Sequence, residues 1–466
     1  MRTACWSGPS RGPPSTVARE GDAAPVLLVG AVALVYLNAF WGAFQFDDYN
    51  VIVNNPAVRS WPAYLASMPG IRPLLKLSYT LNWTAGLDLF GFHLVNLSCH
   101  AVNAVCVYLL CRRGIEAVGG RQEARPIALT AALLFALHPA QTEAVTYISG
   151  RSVSLMSLFY LSGLLAYVQG DGRGSAFRRY GLSPLLFVAA LLTKETAWTL
   201  PFALLLWEIG LRRSGWREAL WRLRAHWAAL GLAAGAMLAS EGYRRLLIGS
   251  ITARTLKENL LTQVGGQLYL LTKPLLTLQV NIDPDLPVHT SLSPTLVLEA
   301  ALLLTLAVVG CLHLRRRPWL GAGLLWTLLQ LLPTNSILPR LDVANDRQLY
   351  LAMIGPAVVL SVGCWRLLPG RAAAAAVLAL ALGLAATTIA RNHDYRTEVS
   401  LWRATVQESP HKARAWNNLG YAYQMAGDVE TARQAYRRAL ELDPDHPKAK
   451  FNAAALPRPG ETKDAR

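Results

Sequence analysis

The sequence predicts an all-α fold, a polytopic membrane helical bundle of about eleven spans followed by a short C-terminal helical repeat unit. The first observation is composition: 53% of the 466 residues are hydrophobic and 16% are charged, whereas soluble domains carry about 25% charged residues. The second is that apolar runs recur along most of the chain. The third is a spacing of about 34 residues between matching aromatic and proline positions near the C-terminus.

The apolar runs alternate with loops of two kinds. They lie near residues 25–43, 92–110, 126–137, 152–168, 182–193, 196–210, 226–243, 294–313, 318–332, 346–368 and 372–390. Some are shorter than the ~20 apolar residues that a spanning helix needs. Arginines collect in every second loop, as the positive-inside rule requires of cytoplasmic loops. We therefore expect a cytoplasmic N-terminus and, because the number of spans is odd, an extracytoplasmic C-terminal tail.

These patterns divide the chain into four parts. Residues 1–24 are predicted to be a disordered cytoplasmic N-terminus and 457–466 a disordered tail. Residues 25–391 form the multi-span membrane domain, surrounded by membrane lipids, and 392–456 form the extracytoplasmic repeat unit. The net charge of +16 follows from the basic cytoplasmic loops, so no nucleic-acid partner is expected.

Two adjacent carboxylates, Asp47 and Asp48, follow directly on the first apolar run. Acidic groups at a membrane boundary are costly, and two of them repel each other, so one pKa should rise unless a cation lies close by. A solvated loop start or a helix N-cap is the simpler interpretation. The pair could instead hold a divalent metal ion, for which these two residues are the only candidates we single out.

Several charged residues fall on the same predicted membrane face. Arg72 precedes Pro73, which suits either a helix start with proline at its first position or a guanidinium that binds phosphate. Lys194 and Glu195 interrupt a long apolar stretch, where a simple turn could use Gly or Asn instead. Asp346-Arg347 lies in the last long loop on this face, which makes Arg347 a further candidate.

Other polar residues have a structural and a functional interpretation. Glu143 and Arg151, which lie in one predicted outside loop, either pair with each other or support a site. Four polar residues of the second apolar run step by three and four positions, so they share one helix face: His93, Asn96, His100 and Asn103. Interhelical hydrogen bonds are the preferred interpretation of this stripe, ahead of a metal site, because lipid-facing polar groups are costly.

Taken in order, these segments resemble a known family. The matching motifs are Phe46-Asp47-Asp48-Tyr49, Arg72-Pro73-Leu74, Gly91-Phe92-His93-Leu94-Val95-Asn96, His138-Pro139 with Thr142-Glu143-Ala144-Val145 and Ser149-Gly150-Arg151, Lys194-Glu195-Thr196, and Asp346-Arg347 with Tyr350-Leu351. The chain is similar to the transmembrane and tetratricopeptide-repeat-containing O-mannosyltransferases and their bacterial relatives, which have the C-type glycosyltransferase fold. The resemblance covers roughly residues 25–450.

The resemblance implies a membrane glycosyltransferase, with a bacterial inner membrane as the expected location. Its donor would be a polyprenyl-phosphate-linked mannose or similar hexose, and its acceptor a Ser or Thr hydroxyl of an extracytoplasmic protein, or another glycan, with inversion at the anomeric carbon. Asp47 would be the general base, and Asp48 would be a second catalytic residue that orients the acceptor or a metal ion. Cations would neutralise the leaving phosphate: Arg72, Lys194 and Arg347. The supporting residues would be Glu143, Arg151, Glu195, Asp346 and His93.

The C-terminal region fits one tetratricopeptide repeat at residues 413–446. The pattern residues are Trp416, Leu419, Gly420, Tyr423, Ala432, Tyr436, Ala439 and Pro444. Trp402 and Pro410 indicate the second half of a preceding repeat, at residues 398–410. Because three or more repeats are usually needed for stability, this unit must lean on the membrane domain or on a protein partner.

Two non-catalytic alternatives remain open from the sequence. One is a membrane scaffold whose repeat recruits an envelope assembly partner, but a scaffold does not need charged residues clustered at one membrane face. The other is a transporter of a lipid carrier, which would be expected to show an internal repeat of broken helices in both halves. We see no such repeat in the hydropathy pattern.

Overall fold

The computed structural model describes residues 22–169, 174–275, 280–336, 339–340 and 342–457. All secondary structure within these ranges is helical, so the all-α prediction is confirmed for them. The predicted disordered N-terminus lies outside the described residues except for its last three positions. The predicted disordered tail lies outside them except for Pro457.

The first helices form the centre of the bundle. They are α1 (Ala24–Val35), α2 (Trp61–Ala66), α3 (Pro73–Ala85), α4 (Asp88–Ala117), α5 (Ala124–Leu137), α6 (Thr142–Val145) and α7 (Arg151–Val168). Helix α3 begins at Pro73, whose missing N–H costs nothing at this position, as one interpretation of Arg72-Pro73 predicted. Helix α4 packs against α1, α5 and α7.

The middle of the chain adds an outer group of helices. They are α8 (Ser175–Phe177), α9 (Ser183–Thr193), α10 (Leu200–Leu206), α11 (Trp216–Arg222), α12 (Arg224–Ala239), α13 (Glu241–Ala253), α14 (Leu256–Thr272), α15 (Pro294–His313) and α16 (Pro318–Leu331). The π-helical turn Arg178–Leu182 joins α8 to α9, so residues 175–193 form one continuous helical segment. Helix α9 packs against α7 and α12.

The last helices complete the bundle and form the repeat unit. They are α17 (Leu349–Ala352), α18 (Ile354–Leu367), α19 (Gly370–Asp394), α20 (Glu398–Glu408), α21 (Ala413–Met425), α22 (Val429–Leu442) and α23 (Pro447–Ala455). The Asp428 side chain caps α22 by accepting a hydrogen bond from the Thr431 N–H at 3.1 Å, which satisfies one of the unpaired donors of the first turn.

The predicted number of spans is not confirmed. Among the described residues, five helices are long and apolar enough to cross a membrane: Ala24–Trp41, Asp88–Ala117, Ile148–Val168, Pro294–His313 and Gly370–Asp394. The pair α17 and α18, bent by 55°, would make a sixth. The predicted apolar runs all fall largely within helical segments, but several of these are too short to count alone; α5, for example, has 14 residues.

The polar stripe of α4 makes interhelical hydrogen bonds, as predicted. The Asn96 side chain donates to the backbone carbonyl of Val145 at 3.2 Å. The His100 ring lies 2.8 Å from the Tyr350 hydroxyl, and Asn103 donates to the same hydroxyl at 3.0 Å. These bonds satisfy polar groups that would be costly in an apolar bundle, and they fix α4 against α6 and α17.

The repeat unit has a small apolar core of its own. Leu419 is 4% exposed and Tyr436 is fully buried, whereas Trp416 and Tyr423 are only half-buried. Gly420 lies against the Tyr436 ring so closely that a Cβ atom there would be 2.6 Å from it. We expect the four large pattern residues Trp416, Leu419, Tyr423 and Tyr436 to form the apolar core of the repeat; two of them are buried, and the other two cover its edge.

The repeat unit leans on the membrane domain, one of the two possibilities raised above. Helix α20 shares an apolar cluster with Tyr147 and Ile282 of the bundle. The guanidinium of Arg414 donates to Asp283 at 2.7 Å and to Asp342 at 2.6 Å. This docking supplies buried area that one and a half repeats cannot provide for themselves.

We expect Leu419→Ala to lower the free energy of unfolding of the repeat unit by ~2–5 kcal/mol, because it leaves a cavity in the apolar cluster that Leu419 shares with Trp402 and Ala435. The tail should then be cleaved faster by protease while the membrane domain stays intact. Met425, which is 66% exposed on the same helix, provides the control substitution Met425→Ala. Equal protease resistance in the two variants would count against the repeat core.

Candidate active site

The polar segments singled out above meet at one end of the bundle. The Asp47 N–H donates to the Tyr147 hydroxyl at 3.0 Å, which joins the loop after α1 to the segment before α7. The Arg347 N–H donates to Glu143 at 3.0 Å, which joins the 342–348 segment to α6. Contacts between residues 100 and 204 positions apart thus bring together segments that the sequence predicted to share one face.

Asp48 is a buried structural acceptor. Its carboxylate accepts hydrogen bonds from the backbone N–H of Gln45 at 3.0 Å and of Ser149 at 2.7 Å, and also from the Ser149 hydroxyl. Burial raises the pKa of Asp48 to about 7, although these hydrogen bonds oppose the shift. With both oxygens engaged, this carboxylate ties the loop after α1 to the turn before α7.

Asp47 has the opposite environment. Its side chain is half-buried, and within the described part of the chain its carboxylate has no hydrogen bond or ion pair. Burial raises the pKa of Asp47, Arg347 lowers it and Asp342 raises it further. The preceding residue, Phe46, has a φ of 48°, a left-handed conformation that is uncommon outside Gly, Asn and Asp. A carboxylate with a raised pKa and an unoccupied acceptor is suited to general-base work.

Glu143 pairs with Arg347, so its predicted pairing with Arg151 is wrong. The Arg347 Nε lies 3.4 Å from Glu143 Oε1, while Arg151 is held by neutral partners, including Asn96 Oδ1 at 2.8 Å and the Phe92 carbonyl at 2.8 Å. Burial raises the pKa of Glu143 to about 7, and Arg347 opposes this shift. Arg151 begins α7 and points into the bundle, away from the acidic segment that precedes it.

Arg72 pairs with Glu195 in a two-pronged ion pair. Arg72 Nε donates to Glu195 Oε2 at 2.9 Å, and a second guanidinium nitrogen donates to Oε1. Although burial acts to raise the pKa of Glu195, Arg72 lowers it to about 2. The pair joins the start of α3 to the turn after α9, which brings the neighbouring Lys194 to the same end of the bundle.

Three cations line one cleft beside this ion pair: Lys194, Arg340 and Arg347. The cleft has about 440 Å³ of empty space. Burial lowers the pKa of Lys194 well below its ordinary value, and the charges of Arg347, Arg72 and Arg340 lower it further. Such a cluster is unfavourable without an anion, and a phosphate would relieve the mutual repulsion of the cations.

A second, smaller pocket lies on the other side of Arg347. Its lining includes Phe46, Tyr147 and Trp402, whose rings form an aromatic wall. Glu143 and Asp342 also line it. Although burial acts to raise the pKa of Asp342, Arg414 holds it below its ordinary value. Arg347 therefore separates a cationic cleft from an aromatic and acidic pocket.

The remaining predicted supporting residues do not line these two cavities. His93 is buried in α4, with its Nε2 3.0 Å from the Gly42 carbonyl. The Asp346 carboxylate accepts a hydrogen bond from the Asn281 N–H at 2.6 Å, on the side of the chain away from the cleft. Arg151 braces α3 and α4 from within the bundle. These three residues hold the segments that carry the site.

The Asp47-Asp48 pair does not fit a shared metal site. Both oxygens of Asp48 already accept hydrogen bonds, so only Asp47 could offer a free ligand. Among the described residues, no group of three or more His, Cys, Asp or Glu side chains has the arrangement of a metal site.

The sequence reasoning missed three charged residues of the site. Arg340 lies in the cationic cleft, Asp342 lines the acidic pocket, and Arg414 of the repeat unit holds Asp342. Arg340 and Asp342 lie in a loop that the predicted topology places on this face, so their charge could have identified them as site candidates. Nothing in the local sequence connects Arg414 to the bundle.

Comparison with known proteins finds one matching family and several relatives of this chain. The tetratricopeptide repeat family matches residues 413–446. A protein O-mannosyl-transferase of Caenorhabditis elegans is 25% identical over 458 residues, which cover 90% of this chain and 63% of the relative. Protein O-mannosyl-transferase TMTC3 of Mus musculus is 24% identical over 91% of this chain and 52% of its own length. TMTC1 of the same species is 35% identical over 217 residues, which are 41% of this chain and 22% of the relative.

The resemblance to the transmembrane and tetratricopeptide-repeat-containing O-mannosyltransferases is thus confirmed. The chain spans between about half and two thirds of the length of the first two relatives. No solved structure is significantly similar to it. The similarity therefore bears on most of this chain but on only part of those proteins.

Proposed function

We propose that this chain, similar in sequence to protein O-mannosyl-transferases, is a membrane glycosyltransferase that moves a mannose or similar hexose from a polyprenyl-phosphate carrier to a Ser or Thr hydroxyl. One observation carries the proposal: the free carboxylate of Asp47 lies close enough to interact with Arg347 and Arg340, which are two of the three cations of the cleft. The carboxylate can accept the proton of the acceptor hydroxyl, and the cations can stabilise the negative charge on the leaving phosphate.

The proposed reaction breaks the bond between the anomeric carbon and the phosphate oxygen. The acceptor oxygen attacks that carbon while Asp47 takes its proton. The phosphate leaves with the bonding electron pair, and Lys194, Arg340 and Arg347 stabilise the charge that develops on it. Attack opposite the leaving phosphate inverts the configuration, as the family resemblance implies.

Other predicted site residues take indirect roles in this proposal. Arg72 stays paired with Glu195 and fixes the segment that carries Lys194, while its positive charge adds to the field of the cleft. Asp48 holds the loop that presents Asp47. Glu143 orients Arg347 through two contacts, one to its backbone N–H and one to its Nε. These roles differ from direct phosphate binding by Arg72 and catalysis by Asp48.

The membrane arrangement is part of the proposal. We infer a C-type glycosyltransferase bundle of eleven spans in a bacterial inner membrane, in which the short and broken helices complete the six candidate spans. The arginine-rich loops, Arg315 to Arg317 among them, would face the cytoplasm. The site and the repeat unit would then face outside, where a lipid-linked sugar and an extracytoplasmic acceptor can meet.

We expect reporter fusions to confirm this orientation. A reporter fused after Arg113, at the arginine-rich end of α4, should give a cytoplasmic signal. A reporter fused after Arg396, at the end of the membrane domain, should give an extracytoplasmic signal, because the charge bias of short loops sets orientation. A cytoplasmic signal at both positions would mean that the site faces the cytoplasm, where it could not meet an extracytoplasmic acceptor.

The proposed activity is tested with purified protein in lipid nanodiscs. Radiolabelled hexose on a polyprenyl phosphate should be transferred to a Thr-containing peptide, and nuclear magnetic resonance of the product should show the inverted linkage. Nucleotide sugars should not serve as donors, because the cleft belongs to a bundle that we propose to be embedded in the membrane, where the donor is lipid-linked. Failure to use several polyprenyl-phosphate hexoses would favour the scaffold alternative, in which the repeat recruits a partner without catalysis.

A further inference from the structure

The repeat unit does more than lean on the bundle, because its first helix holds the loop that carries Asp47. The Ala43 N–H donates to the Arg396 carbonyl at 3.2 Å, and the Phe46 N–H donates to Glu398 at 2.8 Å. The Phe46 ring packs edge-on against Trp402, with 5.2 Å between ring centroids. The left-handed backbone of Phe46 costs energy, and these contacts from α20 compensate for it.

The second repeat helix holds the other side of the same pocket. Arg414 donates to both Asp283 and Asp342, while Lys412 lies 3.1 Å from Asp283 Oδ1. Because Asp283 and Asp342 lie on separate loops of the bundle, Arg414 sets the distance between those loops. The pocket beside Asp47 is thus built jointly by the bundle and the repeat unit.

Charge distinguishes this pocket from the cationic cleft. Three carboxylates and two guanidiniums line it, and the Asp47 carboxylate lies close enough to interact with both Asp342 and Arg347. One of the lining oxygens, Glu143 Oε1, is buried, and its contact is the 3.4 Å ion pair with Arg347 Nε. An excess of acid and an aromatic wall suit a ligand that brings positive charge, not a second phosphate.

Resting on the proposed function, we propose that this pocket is the acceptor half of the site and takes an extended Ser- or Thr-containing peptide with basic flanking residues. Trp402 forms its wall, and Glu398 and Arg414 act as positioning residues. The enclosed space beside Arg347 holds little more than one water molecule, so only the hydroxyl group of a Ser or Thr side chain would enter it, and a folded domain is excluded. The repeat unit therefore selects the acceptor at the site itself.

Peptide binding tests this inference separately from catalysis. Two labelled peptides of equal length, each with one central Thr flanked by Lys or by Glu, are titrated with the full-length protein and followed by fluorescence anisotropy. We expect the Lys-flanked peptide to bind about tenfold more tightly at low salt, with a smaller ratio at high salt, because complementary charge is screened. Equal binding of the two peptides would overturn the inference.

Variants separate the acceptor half from the donor half. Trp402→Ala should weaken binding of both peptides about fivefold through the lost aromatic wall, and binding of a sugar-free polyprenyl phosphate should be unchanged. Phe451→Ala, at a 74% exposed position on α23, is the matched control and should change neither. Weaker polyprenyl-phosphate binding with unchanged peptide binding in Trp402→Ala would contradict the assignment.

A second variant distinguishes a direct effect on peptide selectivity from general loosening of the repeat unit. Asp342→Asn should reduce the preference for the Lys-flanked peptide over the Glu-flanked one, whereas simple loosening would weaken both equally and leave the ratio unchanged. Displacement of the Lys-flanked peptide by a neutral oligosaccharide, but not by unlabelled peptide, would assign the pocket to a glycan and overturn the inference. Selective peptide binding without any sugar transfer would count against the proposed function alone.

Discussion

Asp47→Asn should lower sugar transfer by ~10²–10⁴-fold, the usual contribution of a general base. The substitution keeps nearly the same volume and removes the proton acceptor. Among the described residues the Asp47 carboxylate has no partner, and its backbone N–H bond to Tyr147 is unaffected, so the variant should fold and insert normally. The measurement is the initial rate of labelled-hexose transfer by equal amounts of purified protein.

Asp48→Asn is the matched neighbour and should behave differently. Its amide group would face donors from Gln45 and Ser149 that now bond to a carboxylate, and each buried donor left unsatisfied costs ~1–3 kcal/mol. We expect a lower yield of folded protein, with residual transfer by the fraction that folds. The opposite pattern, an inactive but fully folded Asp48→Asn beside an active Asp47→Asn, would reverse the two roles.

The pH profile of the wild type follows from the same environment. Burial raises the pKa of Asp47, and only the deprotonated carboxylate can accept the hydroxyl proton. Transfer should therefore fall as the pH is lowered through this raised pKa, and the decline should begin above the range expected of an ordinary aspartate. A rate that stays constant down to the ordinary range would argue against Asp47 as the base.

Arg347→Gln should lower transfer by ~10²–10³-fold, as expected when a group that stabilises transition-state charge is lost. Arg347 lines both cavities, so its loss affects the leaving phosphate and the Asp47 environment together. Arg347→Lys should retain part of the rate, because it keeps the charge and loses the planar fork. The measurement is the rate of transfer at saturating donor.

A paired variant controls for folding in this second experiment. Removing Arg347 alone leaves Glu143 buried without its cation, which is expected to cost ~3–5 kcal/mol. Glu143→Gln together with Arg347→Gln replaces the ion pair by a neutral one and should recover the yield of folded protein. If this double variant also recovers transfer, the contribution of Arg347 is structural and the cleft is not the phosphate site.

The sequence predicted which segments carry the site better than it predicted which charged residues pair with one another. Apolar runs predict helices directly, and the spacing of three and four residues from His93 to Asn103 predicts that these side chains share one helix face. Alternating basic loops then placed the Asp47 loop, Lys194 and Arg347 at one end. The number of spans was not confirmed because helices such as α5 and α16, with 14 residues each, are too short to be recognised by length.

Pairings among the charged residues could not be predicted in the same way. Glu143 lies close to Arg151 in sequence yet bonds to Arg347, because the turn into α7 points Arg151 into the bundle. The contact between Arg414 and Asp342 joins residues 72 positions apart and depends on how the repeat unit docks. Such contacts follow from tertiary packing, on which local periodicity carries no information.

The most direct test of the account is mass spectrometry of extracytoplasmic proteins from cells that carry the wild-type chain, no chain, or Asp47→Asn at equal abundance in the membrane. We expect hexose on Ser or Thr residues in the wild-type cells and its loss in both other strains. Hexose that persists unchanged in the Asp47→Asn strain, or that is absent from the wild type, would contradict the claim that this site transfers sugar to proteins.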